Sequence, residues 1–426
     1  MLAAVLAGVV AACGGSSRSH AVPKTPFALT VREAPPPPVP PPGTVSLKAQ
    51  LARLFAQAGR ASGGSVYDLS DNLSLFATRQ GVARPPASVE KLYTSMAVLR
   101  EMGPDATLGT KVMGVGSLAS GGVWHGDLYL VGGGDPTFGE QTFNRTWEFG
   151  YGPTAAQLAN QIRADGIRRV TGRVIGDGAL FDGRVGPPST GFAPDVPDLG
   201  GQLSALTFDH GATDGLRPAA FAARQLARTM TDIHIRANAA AVPGKPPRGA
   251  RVLATVSSPP MSILLRLTDL QSDDLFAEML TKQLGERFAG AGTTAAGASV
   301  IRQLAATYGL DPRIVDGSGL SRSDRSSPLQ VVELLRQMYG TEVGRELDAT
   351  LPVVGVNGTA KAIAQGSAAQ GRCIAKTGTL DEVTNLAGYC HGRSGRELAF
   401  ALFIDGPSNA SGFQLESKMI AAIARL

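Results

Sequence analysis

The chain has 426 residues, more than one compact domain usually holds, so at least two domains are expected and about three are allowed. Apolar residues make up 43% and charged residues 18%, with mean hydropathy +0.04, which excludes a wholly disordered chain. No apolar run reaches the roughly 18 residues of a membrane span, so a polytopic membrane protein is excluded too. The net charge of +5 comes from nine lysines and 31 arginines, scattered with nothing denser than pairs such as Arg168-Arg169. No nucleic-acid partner is implied by such a distribution.

The chain opens MLAAVLAGVVAACGGSS. Leu2 to Ala12 has the length of a signal-peptide core and is too short to span as a mature helix. It closes on Val10-Ala11-Ala12-Cys13 and two glycines, which resembles a bacterial lipobox. Residues 1–13 are therefore expected to be a signal peptide with Cys13 as the lipidated residue, although a basic n-region is missing. A buried apolar strand is the plainer alternative. If Cys13 carries lipid, Cys373 and Cys390 remain, in an exported compartment where disulfides persist.

Residues 14–44 read as a linker. Pro35 to Pro42 holds seven prolines in eight positions, a tract that cannot donate ladder hydrogen bonds and favours extended polyproline II. At about 3.1 Å per residue this segment could hold a domain up to roughly 90 Å from an anchor.

Val45 to Arg60 carries apolar residues at helical spacing. Two short strands flank Ser70-Asp71-Asn72, a hairpin signal. Pro85-Pro86-Ala87 then leads into a helix opened by Ser88 and stopped by Gly103-Pro104. From about 106 to 254 the pattern turns to short strands and many glycines, with Pro218 to Met230 as one expected helix. Helices return from Met261, and strands followed by a helix close the chain.

Three short constellations carry chemistry. Ser88-Val89-Glu90-Lys91 puts a hydroxyl and an amine on one helix face, at a helix N-terminus whose potential favours a developing alkoxide. A neutral lysine can take the serine proton, which makes a nucleophile without a histidine. Lys376-Thr377-Gly378-Thr379 lies in a strand–turn–strand pattern, with a cation and hydroxyls suited to a substrate carboxylate and a glycine allowing close approach. Ser272-Asp273-Asp274 heads a helix; an N-cap by Ser272 followed by an acidic first turn is its simplest explanation. The five histidines form no triad or metal spacing, and GDLYLVGGGDP lacks the Gly-Lys-Ser/Thr of a phosphate loop.

Taken together, Ser-x-x-Lys, Ser-x-(Asn) and Lys-Thr-Gly in that order resemble the penicillin-recognising serine acyl-transfer enzymes. More specifically the chain resembles the class C penicillin-binding proteins, the D-Ala-D-Ala carboxypeptidase/endopeptidase family. PASVEKLYT, GDLYLVGGGDP, VIGDGALFDG, SDDLFAEML, DGSGLSR and KTGTLDEVTNLAGY all look like that family's blocks, in its order. The 184 residues between Ser88 and Ser272 also fit, because an accessory domain interrupts the family's core.

The resemblance implies an α/β (α+β) transpeptidase/β-lactamase-like core, an antiparallel sheet flanked by helices, built from 45–105 and 255–426. A β-rich accessory domain over 106–254 would be inserted between the first two motifs. It implies Ser88 as the acylated nucleophile, Lys91 as its base and Ser272 as proton relay to the leaving D-alanine. Lys376, Thr377, Gly378 and Thr379 would bind the terminal carboxylate, with the N–H groups of Ser88 and Thr379 as oxyanion hole. The implied partners are peptidoglycan stem peptides, β-lactams as covalent inhibitors and a membrane reached by the lipid anchor, with no metal or organic cofactor. DD-endopeptidase action on cross-links is a second activity the resemblance allows.

One departure stands out. The family usually has Asn where this chain has Asp274, and an ionised Asp can only accept hydrogen bonds. A carboxylate there would hold Lys91 in its protonated, non-basic form. The expectation is a slower or more selective enzyme, or one whose Asp274 stays protonated. A penicillin-binding or wall-binding sensor that acylates without turnover is the rival class, and a wall-associated scaffold without chemistry is a third. Finally, a two-residue turn at Asp381-Glu382 would set Cys373 opposite Cys390, on the strand face away from Lys376, so a disulfide is expected there.

Overall fold

The computed structural model describes residues 39–426, so the expected signal peptide, Cys13 and most of the proline-rich linker lie outside the described residues. Helix α1 (Thr44–Ala58) buries Leu47, Leu51, Phe55 and Ala58, the stripe its helical spacing predicts. Strands β1 (Gly63–Asp68) and β2 (Leu73–Thr78) form the expected hairpin, with Asn72 in a left-handed conformation at the turn. A single 3₁₀ turn, Ala87–Glu90, then runs into α2 (Lys91–Met102).

The next part folds around a sheet of its own. Its strands are β3 (Gly109–Ala119), β4 (Val123–Val131), then β5 (Arg169–Asp177) after helices α3 (Gln141–Trp147) and α4 (Ala155–Ala164). Helices α5 (Val196–Leu199) and α6 (Pro218–Asp232) precede β6 (Arg236–Ala239) and β7 (Arg251–Ser257). The order is β6-β5-β4-β3-β7, with β3 antiparallel to β4 and β7, while β4, β5 and β6 run parallel. Parallel neighbours need crossovers, and these are supplied by α3 and α4 and then by α6. This region is thus richer in helix than its glycine-rich sequence suggested; Thr154 opens α4 with a full capping box that composition alone did not reveal. Leu158, Ile162, Leu226 and Met230 of α4 and α6 pack on Val112, Trp124, Leu128 and Val174, so the sheet has one covered face.

Helices α7 (Met261–Gln271), α8 (Asp274–Ala289), α9 (Thr294–Thr307), α10 (Pro328–Met338) and α11 (Glu342–Asp348) follow. The chain closes with β8 (Cys373–Leu380), β9 (Val383–His391), β10 (Glu397–Asp405) and α12 (Asn409–Ile423). These strands join the first hairpin in an all-antiparallel sheet of order β2-β1-β10-β9-β8. Its central strand β10 is apolar on both sides. Phe400, Leu402 and Ile404 face the layer of α1 and α12, and Ala399, Ala401 and Phe403 face that of α2 and α10. A strand covered on both faces reads as a continuous apolar run, as ELAFALFID does. Strand β8 stands at the edge, which leaves its backbone available to something other than a neighbouring strand.

Candidate active site

The first motif sits on a strained entry. Ala87 takes φ 49°, a left-handed conformation that costs energy in a residue with a Cβ. The strain is held by Asn385 of β9, whose Nδ2 donates to the carbonyls of Pro85 (3.0 Å) and Pro86 (2.9 Å). In the 3₁₀ turn positions i and i+3 eclipse, so Lys91 Nζ donates to Ser88 Oγ at 3.0 Å. Lys91 is fully buried and spends its other donors on Ser318 carbonyl (2.8 Å) and Asp274 Oδ1 (2.5 Å). A buried polar side chain left without such partners would be costly.

The second motif lies where α7 meets α8. Ser272 ends α7 in the left-handed conformation (φ 59°), and Asp273, not Ser272, caps α8 by accepting from Phe276 N–H at 2.9 Å. The expected Ser272 cap is therefore corrected by one residue, and the Ser272 hydroxyl is left to accept from Lys376 Nζ at 2.8 Å. Asp274 opens the helix and turns its carboxylate to Lys91. Burial pushes the Asp274 carboxyl above its ordinary range, against the opposing pull of Lys91.

The third motif lies on the edge strand. Ala375 N–H donates to Pro352 carbonyl at 2.9 Å on the side away from β9, so alternation directs the N–H groups of Thr377 and Thr379 the same way. Strand and nucleophile turn meet at Gly378, where a Cβ would stand 2.7 Å from Pro86 carbonyl and 3.0 Å from Val89 N. Glycine is required there by space alone. Lys376 is fully buried, and burial, reinforced by the charge of Lys91, lowers it to about 7. Thr377 Oγ1 donates to Thr359 Oγ1 at 2.7 Å.

The structure thus gathers Ser88, Lys91, Ser272, Asp274 and Lys376 around two lysine–serine contacts, with Thr377, Gly378 and Thr379 along the adjoining strand. Several supporting residues had no signal in the sequence. Asp269, fully buried on α7, accepts from Ser95 (2.8 Å) and Thr350 (2.7 Å), and its charge opposes the lowering of Lys376. The DGSGLSR segment supplies the Ser318 carbonyl to Lys91. It is clamped from below, because Glu278 accepts from Gly317 and Ser318 N–H (3.0 Å each) and Asp316 from Gly319 and Ser321 N–H (2.8 Å each). Burial lifts Glu278 to about 7 and Asp316 well above the carboxylate range. Asn385 could have been noticed as a lone amide inside the apolar strand VTNLAGYCH.

Cys373 and Cys390 pair across β8 and β9 and are joined by a disulfide, with the turn at Asp381-Glu382. Both sit in the core layer under α1 and α12, on the opposite face from Lys376.

Comparison with known proteins gives this geometry a family. The D-Ala-D-Ala carboxypeptidase 3 (S13) family matches residues 47–214 and 212–426. A D-alanyl-D-alanine carboxypeptidase of Actinomadura sp. (strain R39) is 28% identical, over 87% of this chain and 82% of the relative. Carboxypeptidase DacB of Mycolicibacterium smegmatis is 31% identical, over 85% and 80%. Among solved structures, penicillin-binding protein 4 (dacB) from Haemophilus influenzae superposes with TM-score 0.75 at 18% identity, over 88% of this chain and 99% of that one. A predatory endopeptidase from Bdellovibrio bacteriovorus superposes with TM-score 0.54 at 18% identity, over 85% and 92%. These two likenesses concern the fold. The chain belongs to the D-Ala-D-Ala carboxypeptidase 3 (S13) family and is a serine peptidase of that class.

Proposed function

We propose that the chain removes the terminal D-alanine from peptidoglycan stem peptides through an ester on Ser88. The observation that carries this reading is the paired geometry of Lys91 Nζ 3.0 Å from Ser88 Oγ and Lys376 Nζ 2.8 Å from Ser272 Oγ. Lys91 in its neutral form takes the Ser88 proton as Oγ attacks the carbonyl of the penultimate D-alanine. The C–N bond to the terminal D-alanine then breaks, and the leaving amine receives a proton relayed through Ser272. Water finally opens the ester, returning the free hydroxyl and a shortened peptide.

Lys376, with the hydroxyls of Thr377 and Thr379, binds the terminal carboxylate, and Gly378 lets the substrate strand come close. Ser88 and Thr379 N–H groups receive the oxyanion, each contributing roughly 3 kcal/mol by analogy with such donors. Asp274, 2.5 Å from Lys91 Nζ, slows acylation through that contact with the base, and burial pushes its own carboxyl above the ordinary range. The catalytic residues belong to a part comprising 45–105 and 255–426, with 106–254 as an inserted accessory part.

The substrate can equally be the D-alanyl bond of a cross-link, since predatory peptidoglycan endopeptidases share the fold. Export and lipidation at Cys13 rest on the sequence alone; mass measurement of the N-terminal peptide from the producing cell tests them. The activity is tested by incubating the protein with a fluorescent penicillin and, in parallel, with a peptide ending in D-Ala-D-Ala. Label together with released D-alanine supports the enzyme. Label without release favours the non-turnover sensor, for which Asp274 is the observation.

A further inference from the structure

The residue between Ser272 and Asp274 is tied to a distant part of the chain. Asp273 uses one carboxylate oxygen to cap α8 and the other to meet His210 Nε2 at 2.8 Å. His210 comes from the loop between α5 and α6, within the 109–257 stretch that builds the second sheet. Its ring also stacks on Phe276, in the first turn of α8, with centroids 5.7 Å apart.

That histidine is lodged rather than laid on the surface. Asp209 and His210 both adopt left-handed conformations (φ 46° and 56°). A Cβ on Gly201 would stand 1.9 Å from His210 carbonyl, and one on Gly200 2.9 Å from the imidazole. Two strained residues and two glycines therefore hold one ring against the start of α8. Around it, Leu199, Leu203 and Ala205 pack with Leu275, Phe276 and Met279, which fixes the loop to the same helix.

We propose that His210 is a positioning residue of the active site, orienting Ser272 and Asp274 by holding the Asp273 side chain between them. The inference rests on the reading of Ser272 and Asp274 as working residues. The backbone of this two-residue joint between α7 and α8 is held by Ser272 N–H to Asp269 carbonyl (3.3 Å) and Asp273 N–H to Thr268 carbonyl (2.8 Å), and the His210 contact adds a hold on the Asp273 side chain. A swing of Asp273 would carry the Ser272 hydroxyl away from Lys376 and the Asp274 carboxylate away from Lys91. Charge reinforces the contact. Burial acts to lower His210, but Asp273 and Glu148 together outweigh it and raise the imidazole to about 9, so it is a cation at neutral pH. In return, although burial acts to raise Asp273, His210 and the Phe276 N–H bring it below the usual carboxylate range.

Three variants separate positioning from packing. His210→Gln keeps an N–H donor for Asp273, His210→Phe keeps a ring against Phe276 without the donor, and Ser272→Ala checks the underlying reading. Acylation by a fluorescent penicillin is followed over a concentration series, giving a binding constant and a maximal acylation rate for each. The expected result for His210→Phe is a maximal rate lowered about tenfold or more with binding changed by less than about twofold. His210→Gln should stay within about threefold of the parent on both. Equal losses in the two His210 variants, no loss in His210→Phe, or a loss confined to His210→Gln would each overturn the proposal. If Ser272→Ala acylates like the parent, it is the reading of Ser272 that fails, whatever the histidine variants do.

Discussion

The two motif lysines, Lys91 and Lys376, are equally buried and differently accompanied. Lys91 meets a carboxylate at 2.5 Å, a carbonyl and a hydroxyl. Lys376 meets one hydroxyl and the carbonyl of Thr377, and among the described residues no carboxylate lies within salt-bridge distance of it. Burial and the neighbouring Lys91 charge accordingly bring Lys376 down to about 7. The lesson is one of division of labour. In the roles proposed above, a lysine without its own anion is free to receive a substrate's carboxylate, whereas Lys91 serves the adjoining Ser88 in spite of its paired carboxylate.

The sharpest way to break this comparison is to remove the serine at the paired end. Ser88→Ala should lower acylation and D-alanine release roughly 10⁴-fold or more, measured as kcat/KM, with unchanged melting. Lys376→Ala should act at the other end, lowering kcat/KM by about 10²-fold, mainly through KM for a peptide with a free terminal carboxylate. A peptide amidated at that carboxylate should lose much less. The sign of the pH effect follows from the lowered Lys376. Its charge is present below pH about 7 and lost above it, so kcat/KM should decline as pH rises through about 7. Lys376→Arg, which stays charged, should flatten that decline.

A smaller effect is expected from Asp274→Asn, which removes the carboxylate 2.5 Å from Lys91 Nζ. Acylation at neutral pH should accelerate by up to about tenfold, and equal rates across pH would contradict the role given to Asp274. Smallest for activity is the Cys373–Cys390 bond, on the sheet face away from Lys376. Replacing both cysteines by Ala should cost up to about 3 kcal/mol of stability in denaturant titration, given a separation of 17 residues, and leave the acylation rate close to that of the parent.

What could be read from the sequence was local. Ser88 and Lys91 stand one turn apart, and Cys373 and Cys390 follow from a single hairpin, so both contacts were legible from spacing. The α1 helix and the β1–β2 hairpin were legible for the same reason. What escaped depends on partners far along the chain. Asn385 reaches carbonyls 299 and 300 residues away, and Lys91 reaches a carbonyl 227 residues away. The parallel strands β4, β5 and β6 escaped too, because short strands amid glycines do not announce the crossovers that separate them. Asp273 is the instructive case: the sequence pointed to a cap at this helix start, and only the left-handed Ser272 shows why the cap falls one residue later and the serine is spared.

On the proposed mechanism Ser88, activated by Lys91, is the residue acylated. Treating the protein with a penicillin, digesting it and sequencing the adduct-bearing peptide by mass spectrometry tests this most directly. One penicilloyl group is expected on Ser88, absent from Ser88→Ala together with D-alanine release. An adduct on any other residue, or D-alanine release that survives in Ser88→Ala, would contradict it.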